Sequence, residues 1–106
     1  MWDAIKQFVE IVGAPDVLIH GGAKGADAMA EGIAKFFAIP TLPFPISDQE
    51  WQTYGKSMGR IRNARMLRAG RPTHVMAFFA GERTRGTAHM VEIARDAGLE
   101  VREFGL

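Results

Sequence analysis

The chain predicts an α/β fold, a doubly wound parallel sheet of about four strands with helices on both faces. Short apolar β-branched runs alternate with amphipathic helical patterns along the whole sequence. Two of those runs break directly into glycine, as strand-to-helix corners do. The 106 residues suffice for one core and not for two, so residues 1–106 read as a single domain.

The first helix is marked by Trp2, Ile5, Phe8, Val9 and Val12 on one face, and Gly13-Ala14-Pro15 ends it. Val17–His20 is the first strand. A second helix runs from about Gly25 to Ala38 with Met29, Ala30, Ile33, Ala34 and Phe37 inward. Pro40 to Pro45 gives a short strand whose prolines suit an edge. Ser47 to Gly59 lacks periodicity and reads as a long loop or short helix. Met58, Ile61, Ala64 and Leu67 restore a helix, interleaved with Arg60, Arg62, Arg65 and Arg68 and closed by Gly70 and Pro72. Thr73–Phe79 is a buried strand, Gly81–Thr87 its loop, and Met90, Ile93, Ala94 and Ala97 mark the last helix. Gly98 caps that helix before the strand Leu99–Phe104.

Composition narrows the function. Nearly half the residues are hydrophobic, a quarter are charged, and the formal net charge is +1, which argues against nucleic acid bound by broad phosphate neutralisation. With no cysteine, disulfides, zinc thiolates and thiol catalysis are excluded. His20, His74 and His89 have no metal-ligand spacing, so neither a metal nor another cofactor is expected. No G-x-S-x-G elbow surrounds Ser47 or Ser57. No apolar stretch is long enough for a membrane span, and Met1-Trp2-Asp3 opens an amphipathic pattern, so a cytoplasmic protein with no membrane partner is expected.

The stretch around which the rest is arranged is Val17-Leu18-Ile19-His20-Gly21-Gly22-Ala23-Lys24-Gly25-Ala26-Asp27. Gly21, Gly22 and Gly25 permit close backbone approach. The loop amides, including that of Ala23, can then face an anion at the positive end of a helix, where Lys24 adds a charge. A tight turn made for packing alone fits the same glycines. A local echo favours the ligand: Lys24-Gly25-Ala26-Asp27-Ala28-Met29 and Arg85-Gly86-Thr87-Ala88-His89-Met90 share a basic residue, glycine, small residue and methionine in register. Two such corners at the carboxyl ends of strands flank one crevice where the winding reverses.

Laid out this way, the chain resembles the SLOG superfamily of Rossmann-like proteins, and within it the YspA, cpYpsA-related family. The matching residues are Leu18 to Asp27, then Trp51, Tyr54-Gly55-Lys56, Met58-Gly59, Ile61-Arg62-Asn63 and Met66, then the phenylalanine strand with Gly81 and Gly86-Thr87-Ala88, and Ala94 to Gly98. The resemblance implies binding of nucleotides or nucleotide-derived, ADP-ribose-like ligands, often in conflicts between bacteria and phages. It places ligand contacts on Gly21, Gly22, Lys24, Gly25, Asp27, Arg62, Asn63, Gly86 and Thr87. Members of that family usually begin with another, central strand. Its absence here implies that the remaining strands close up in the order 2-1-3-4, or that a second subunit fills the gap. The related phosphoribohydrolases of the Lonely Guy type carry a glutamate where this chain has Met90.

Individual residues leave alternatives open. Asp27 either accepts from a ribose or caps its helix. Arg62-Asn63 suits a phosphate and a ribose or base edge, whereas Arg60, Arg65 and Arg68 suit a solvated face. Arg83 and Arg85 either clamp a ligand or stay in solvent, and Thr87 serves as helix N-cap, phosphate contact or both. Trp51 and Tyr54 either stack on a base or join the core. Glu82 and Asp27 are the only acid–base candidates for catalysis.

The expected function is therefore a non-enzymatic binder of a small nucleotide-derived ligand, acting as a sensor or a sequestering protein. The alternatives are hydrolysis of an N-glycosidic or phosphate bond in that ligand, and a DNA-associated or protein-interaction module as in the Smf/DprA branch. A homodimer or larger homo-oligomer is expected.

Overall fold

The run Val17–His20 does become a strand, β1 (Leu18–His20), and its parallel neighbour β2 (Thr41–Pro43) pairs with it from Leu18↔Thr41 to His20↔Pro43. The Leu18 N–H donates to the Pro40 carbonyl and the Phe44 N–H to the His20 carbonyl, both at 2.8 Å, so Pro43 turns its N–H-less nitrogen away from β1 and makes β2 an edge. The computed structural model describes residues 1–79 and 85–105. Among these lie α1 (Trp2–Ile11), α2 (Ala26–Phe36), α3 (Asp48–Tyr54), α4 (Met58–Gly70) and α5 (Arg85–Asp96), with a 3-10 turn at Gly55–Ser57. The second pair is longer. β3 (His74–Phe79) runs parallel to β4 (Glu100–Gly105), in register from His74↔Glu100 to Phe79↔Gly105.

Local chemistry accounts for the element ends. The segment after Ile46 is a helix and not a loop, because Ser47 and Glu50 form a capping box: the Ser47 hydroxyl accepts from the Glu50 N–H and the Glu50 carboxylate from the Ser47 N–H, both at 3.1 Å. α5 closes on Gly98 (φ 79°), with the Leu99 N–H donating to the Ala94 carbonyl at 3.1 Å. α2 closes the same way on Ala38 (φ 56°), with the Ile39 N–H donating to the Ala34 carbonyl at 2.8 Å.

The packing centre is where α5 covers the longer pair, with Ala77, Phe79 and Val91 buried and Ala88 and Val101 against them. Phe78 stacks on Phe104 at 5.1 Å. Ile5, Ala34, Ile39 and Met58 are buried outside that cluster. Met29, expected inward, is 50% exposed.

The continuous sheet is the part of the expectation that the structure overturns. The fold is mixed α/β, but its strands form two separate two-stranded parallel sheets, β1-β2 and β3-β4. The neighbour relations 2-1 and 3-4 exist; the join between 1 and 3 does not, so there is no four-stranded doubly wound sheet. A crevice of about 820 Å³ lies between the two pairs, lined by β1 residues Leu18–His20, by β3 residues His74–Phe78, and by Ile5, Phe8 and Val9 of α1. The helices flank this seam and do not draw it shut. Gly70 of α4 lies so close to Ile19 that a Cβ there would come within 2.8 Å of its Cδ1.

Candidate functional site

The glycine loop after β1 is held by three side chains. His20 is 8% exposed, and its Nδ1 accepts the Gly22 N–H at 3.0 Å. A ring nitrogen that accepts carries no proton, so the proton of the neutral ring sits on Nε2, which donates to Glu31 Oε2 of α2 at 3.1 Å. The other Glu31 oxygen accepts from the Thr41 hydroxyl of β2 at 3.1 Å. That hydroxyl, and then His20, hold the Glu31 carboxyl below the ordinary glutamate value. Gly22 sits at φ 70° with Pro45 against its Cα, where a Cβ would come within 3.0 Å of the proline.

Two expectations change here. Asp27 does not cap α2, whose N-cap is Gly25; its carboxylate accepts the Ala23 N–H at 3.1 Å and clasps the loop from within. The Gly22 and Ala23 amides are therefore taken by the protein's own His20 and Asp27 side chains.

The second corner meets the first through α4. Arg62 Nη1 donates to the Gly21 carbonyl at 2.9 Å, and its Nε donates to Asn63 Oδ1 at 3.2 Å. Asn63 is 4% exposed, and its Nδ2 donates to the Gly86 carbonyl at 3.0 Å and to His89 Nδ1 at 3.2 Å. One adjacent pair thus ties the loop after β1 to the start of α5. Among the described residues, the remaining guanidinium nitrogen of Arg62, Nη2, donates no hydrogen bond. Gly21, Lys24, Asp27, Arg62, Asn63, Gly86 and Thr87 all line the crevice between the strand pairs. Gly21 is the tightest of them, since a Cβ there would overlap the Arg62 guanidinium.

The other candidates divide. Lys24 and Gly25 are exposed at the crevice loop, and Arg85 is exposed at the first position of α5. Thr87 lies inside the first turn of α5 and is not its N-cap. Trp51 is 47% exposed and lines a small hollow of about 160 Å³ with Gly21, Gly22, Ala23 and Arg62. Tyr54 is 51% exposed and lines neither hollow, so neither aromatic belongs to the core. Arg60 and Arg68 are exposed, and Arg65 pairs with Glu50 at 2.6 Å. Glu82 and Arg83 lie outside the described residues. His20 and His89 were not among the expected site residues, although each fixes a corner. The only sequence signal for His20 was its place between strand and glycines.

Among the described residues, no helix is long and apolar enough to cross a membrane. No protein-family model matches the chain, and no solved structure does. The chain is 34% identical over 109 residues to the Gene 61 protein of Mycobacterium phage D29, a match covering 99% of this chain and 84% of the phage protein. An identity of that extent along the whole fold makes this chain a member of the same family as the phage D29 Gene 61 protein.

Proposed function

We propose that the protein binds a small nucleotide-derived, phosphate-bearing ligand of the ADP-ribose type where its two glycine corners meet, as a sensor or a sequestering protein. The observation that carries this reading is the Arg62-Asn63 pair, which joins Gly21 to Gly86, all four lining one crevice. Arg62 Nη2 and Lys24, both lining the crevice, offer the cationic donors that phosphate oxygens require. Trp51 at the adjoining hollow gives a flat apolar surface next to that charge, suited to a base. The volume of about 820 Å³ lies within the usual range of small-ligand sites. The motif resemblance to the SLOG superfamily points the same way, and a relative encoded by a phage supports the sequestering form.

Binding without turnover is favoured because the one described acid–base candidate, Asp27, is engaged by the Ala23 amide. The exposed aromatic group of Trp2 and Phe36, with ring centroids 4.8 Å apart, supports a homo-oligomer.

Thermal-shift titration with ADP-ribose, its cyclic forms and common nucleotides tests the reading. A ligand at a hundred times its Kd adds about 2.7 kcal/mol, which raises Tm by about 10 °C in a domain of this size. The shift is expected for at least one of these compounds and is lost in Arg62→Ala, and the ligand is recovered intact after denaturation. No shift with any of them refutes the proposal.

A further inference from the structure

We propose that His20 is a positioning residue that makes the glycine loop, and hence ligand affinity, depend on pH: the loop is closed while the ring is neutral and opens when it is protonated. The affinity half of this rests on the ligand reading above; the loop half does not.

The geometry is specific about the proton. Nδ1 accepts from the Gly22 N–H at 3.0 Å, and Nε2 is 3.1 Å from a Glu31 oxygen. Protonation leaves the Nε2–H···Glu31 contact in place and strengthens it into an ion pair. At Nδ1 the effect is opposite, since the new N–H points at the Gly22 N–H and two donors face each other. The ring is 8% exposed and clamped by Glu31, which is itself fixed by Thr41. The mobile partner is the loop, so Gly22 must turn away. That movement reaches Gly21, whose carbonyl receives Arg62, and Ala23, whose amide is held by Asp27.

The charged groups around this ring act in one window only. Glu31 on α2 stays ionised through mildly acidic pH because Thr41 and His20 hold its carboxyl low, and Lys35 on the same helix adds to that. Asp27 on α2 faces the loop through Ala23, Lys24 is in the loop, and Arg62 on α4 approaches from the other side. Carboxylates titrate as a class below pH 5 and Lys and Arg above pH 10, which leaves the imidazoles between pH 5 and 8. The second imidazole of the site, His89 on α5, faces Asn63 and not Gly22, and the His20→Asn variant keeps it.

The test is nuclear magnetic resonance of the intact protein from pH 8 to pH 5, following the Gly22 amide and the His20 ring nitrogens, with the Ala97 and Gly98 amides, which donate to backbone carbonyls of α5, as internal references. At pH 8 the Gly22 amide is expected downfield and protected from exchange, with the His20 proton on Nε2. On acidification its shift and protection are lost with the midpoint of the His20 ring. In His20→Asn the side-chain oxygen can accept the amide two residues on, as an Asx turn does, and it does not titrate. Gly22 is then expected to stay protected throughout. ADP-ribose affinity should fall at least tenfold from pH 8 to pH 5 in the wild type and less than twofold in His20→Asn. A Gly22 amide that stays put while His20 titrates, or that moves equally in His20→Asn, overturns the proposal. If ADP-ribose binds at neither pH while Gly22 still follows His20, the ligand reading fails and the loop mechanism stands.

Discussion

Asn63→Ala removes the side chain that links the two corners, and its cost can be worked from the contacts. Asn63 is 4% exposed, donates to the Gly86 carbonyl and to His89 Nδ1, and accepts from Arg62 Nε at 3.0, 3.2 and 3.2 Å. A net hydrogen bond contributes about 1 kcal/mol, and a buried partner left without one costs about 1–3 kcal/mol. Arg62 is half-buried and regains water, whereas the Gly86 carbonyl and His89 do so less completely. The expected loss is about 3 kcal/mol, within the stability of an ordinary domain, so the variant still folds. Urea unfolding followed by tryptophan fluorescence reads it directly: with a slope of about 1–3 kcal/mol per molar, the midpoint falls by about 1 M or more. Asn63→Asp keeps the acceptor for Arg62 but sets an oxygen against the Gly86 carbonyl, so it should not recover the loss. A loss below about 0.5 kcal/mol in Asn63→Ala would show that the pair does not tie the corners, and the site built on it would fail.

Other outcomes follow from single contacts. Gly21→Ala pushes the Arg62 guanidinium off the Gly21 carbonyl, and a loss of about 1–3 kcal/mol is expected in the same assay; an unchanged midpoint would contradict it. Ala38 occupies a left-handed position at φ 56°, so Ala38→Gly should stabilise by about 0.5–1 kcal/mol, which differential scanning calorimetry can measure. The Arg65 side chain, then the Ser47 backbone and hydroxyl, hold the Glu50 carboxyl below the ordinary value. A depressed carboxyl binds fewer protons folded than unfolded, so its contribution is complete above the usual glutamate range and is lost as pH falls below it. The urea midpoint of Glu50→Gln should therefore fall less between pH 6 and pH 3 than that of the wild type; parallel curves would refute the assignment. Phe36 is 70% exposed beside Trp2, and Phe36→Asp should shift a dimer toward monomer in multi-angle light scattering.

The local features were legible because their causes are local. Strands that run into glycine, helices that close on Gly98 and an edge marked by prolines all appear where the residues put them. The helix after Ser47 was also written in the sequence, as a serine followed three residues on by a glutamate, a stronger signal than the missing periodicity. Strand adjacency is different. Alternating strands and helices make pairs parallel, but whether β1 meets β3 depends on what helices more than fifty residues apart leave between them. The site shows the same division. Arg62 and Asn63 could be singled out from sequence, whereas their partners Gly21 and Gly86 lie 41 and 23 residues away. The inward turn of the Gly22 and Ala23 amides was hidden for a similar reason, since Glu31 and Thr41 come together only in three dimensions.

The split sheet also determines which backbone remains receptive to another chain. Along the outer rim of β2, Pro43 denies an incoming strand an amide partner, because its even-numbered neighbours Pro40 and Phe44 are the ones bonded to β1. Glu100, Arg102 and Glu103 place charges along β4 at the opposite rim. Lateral growth of either sheet into a ribbon is opposed at both margins. The inner rims of β1 and β3, which face each other across the crevice, carry neither device.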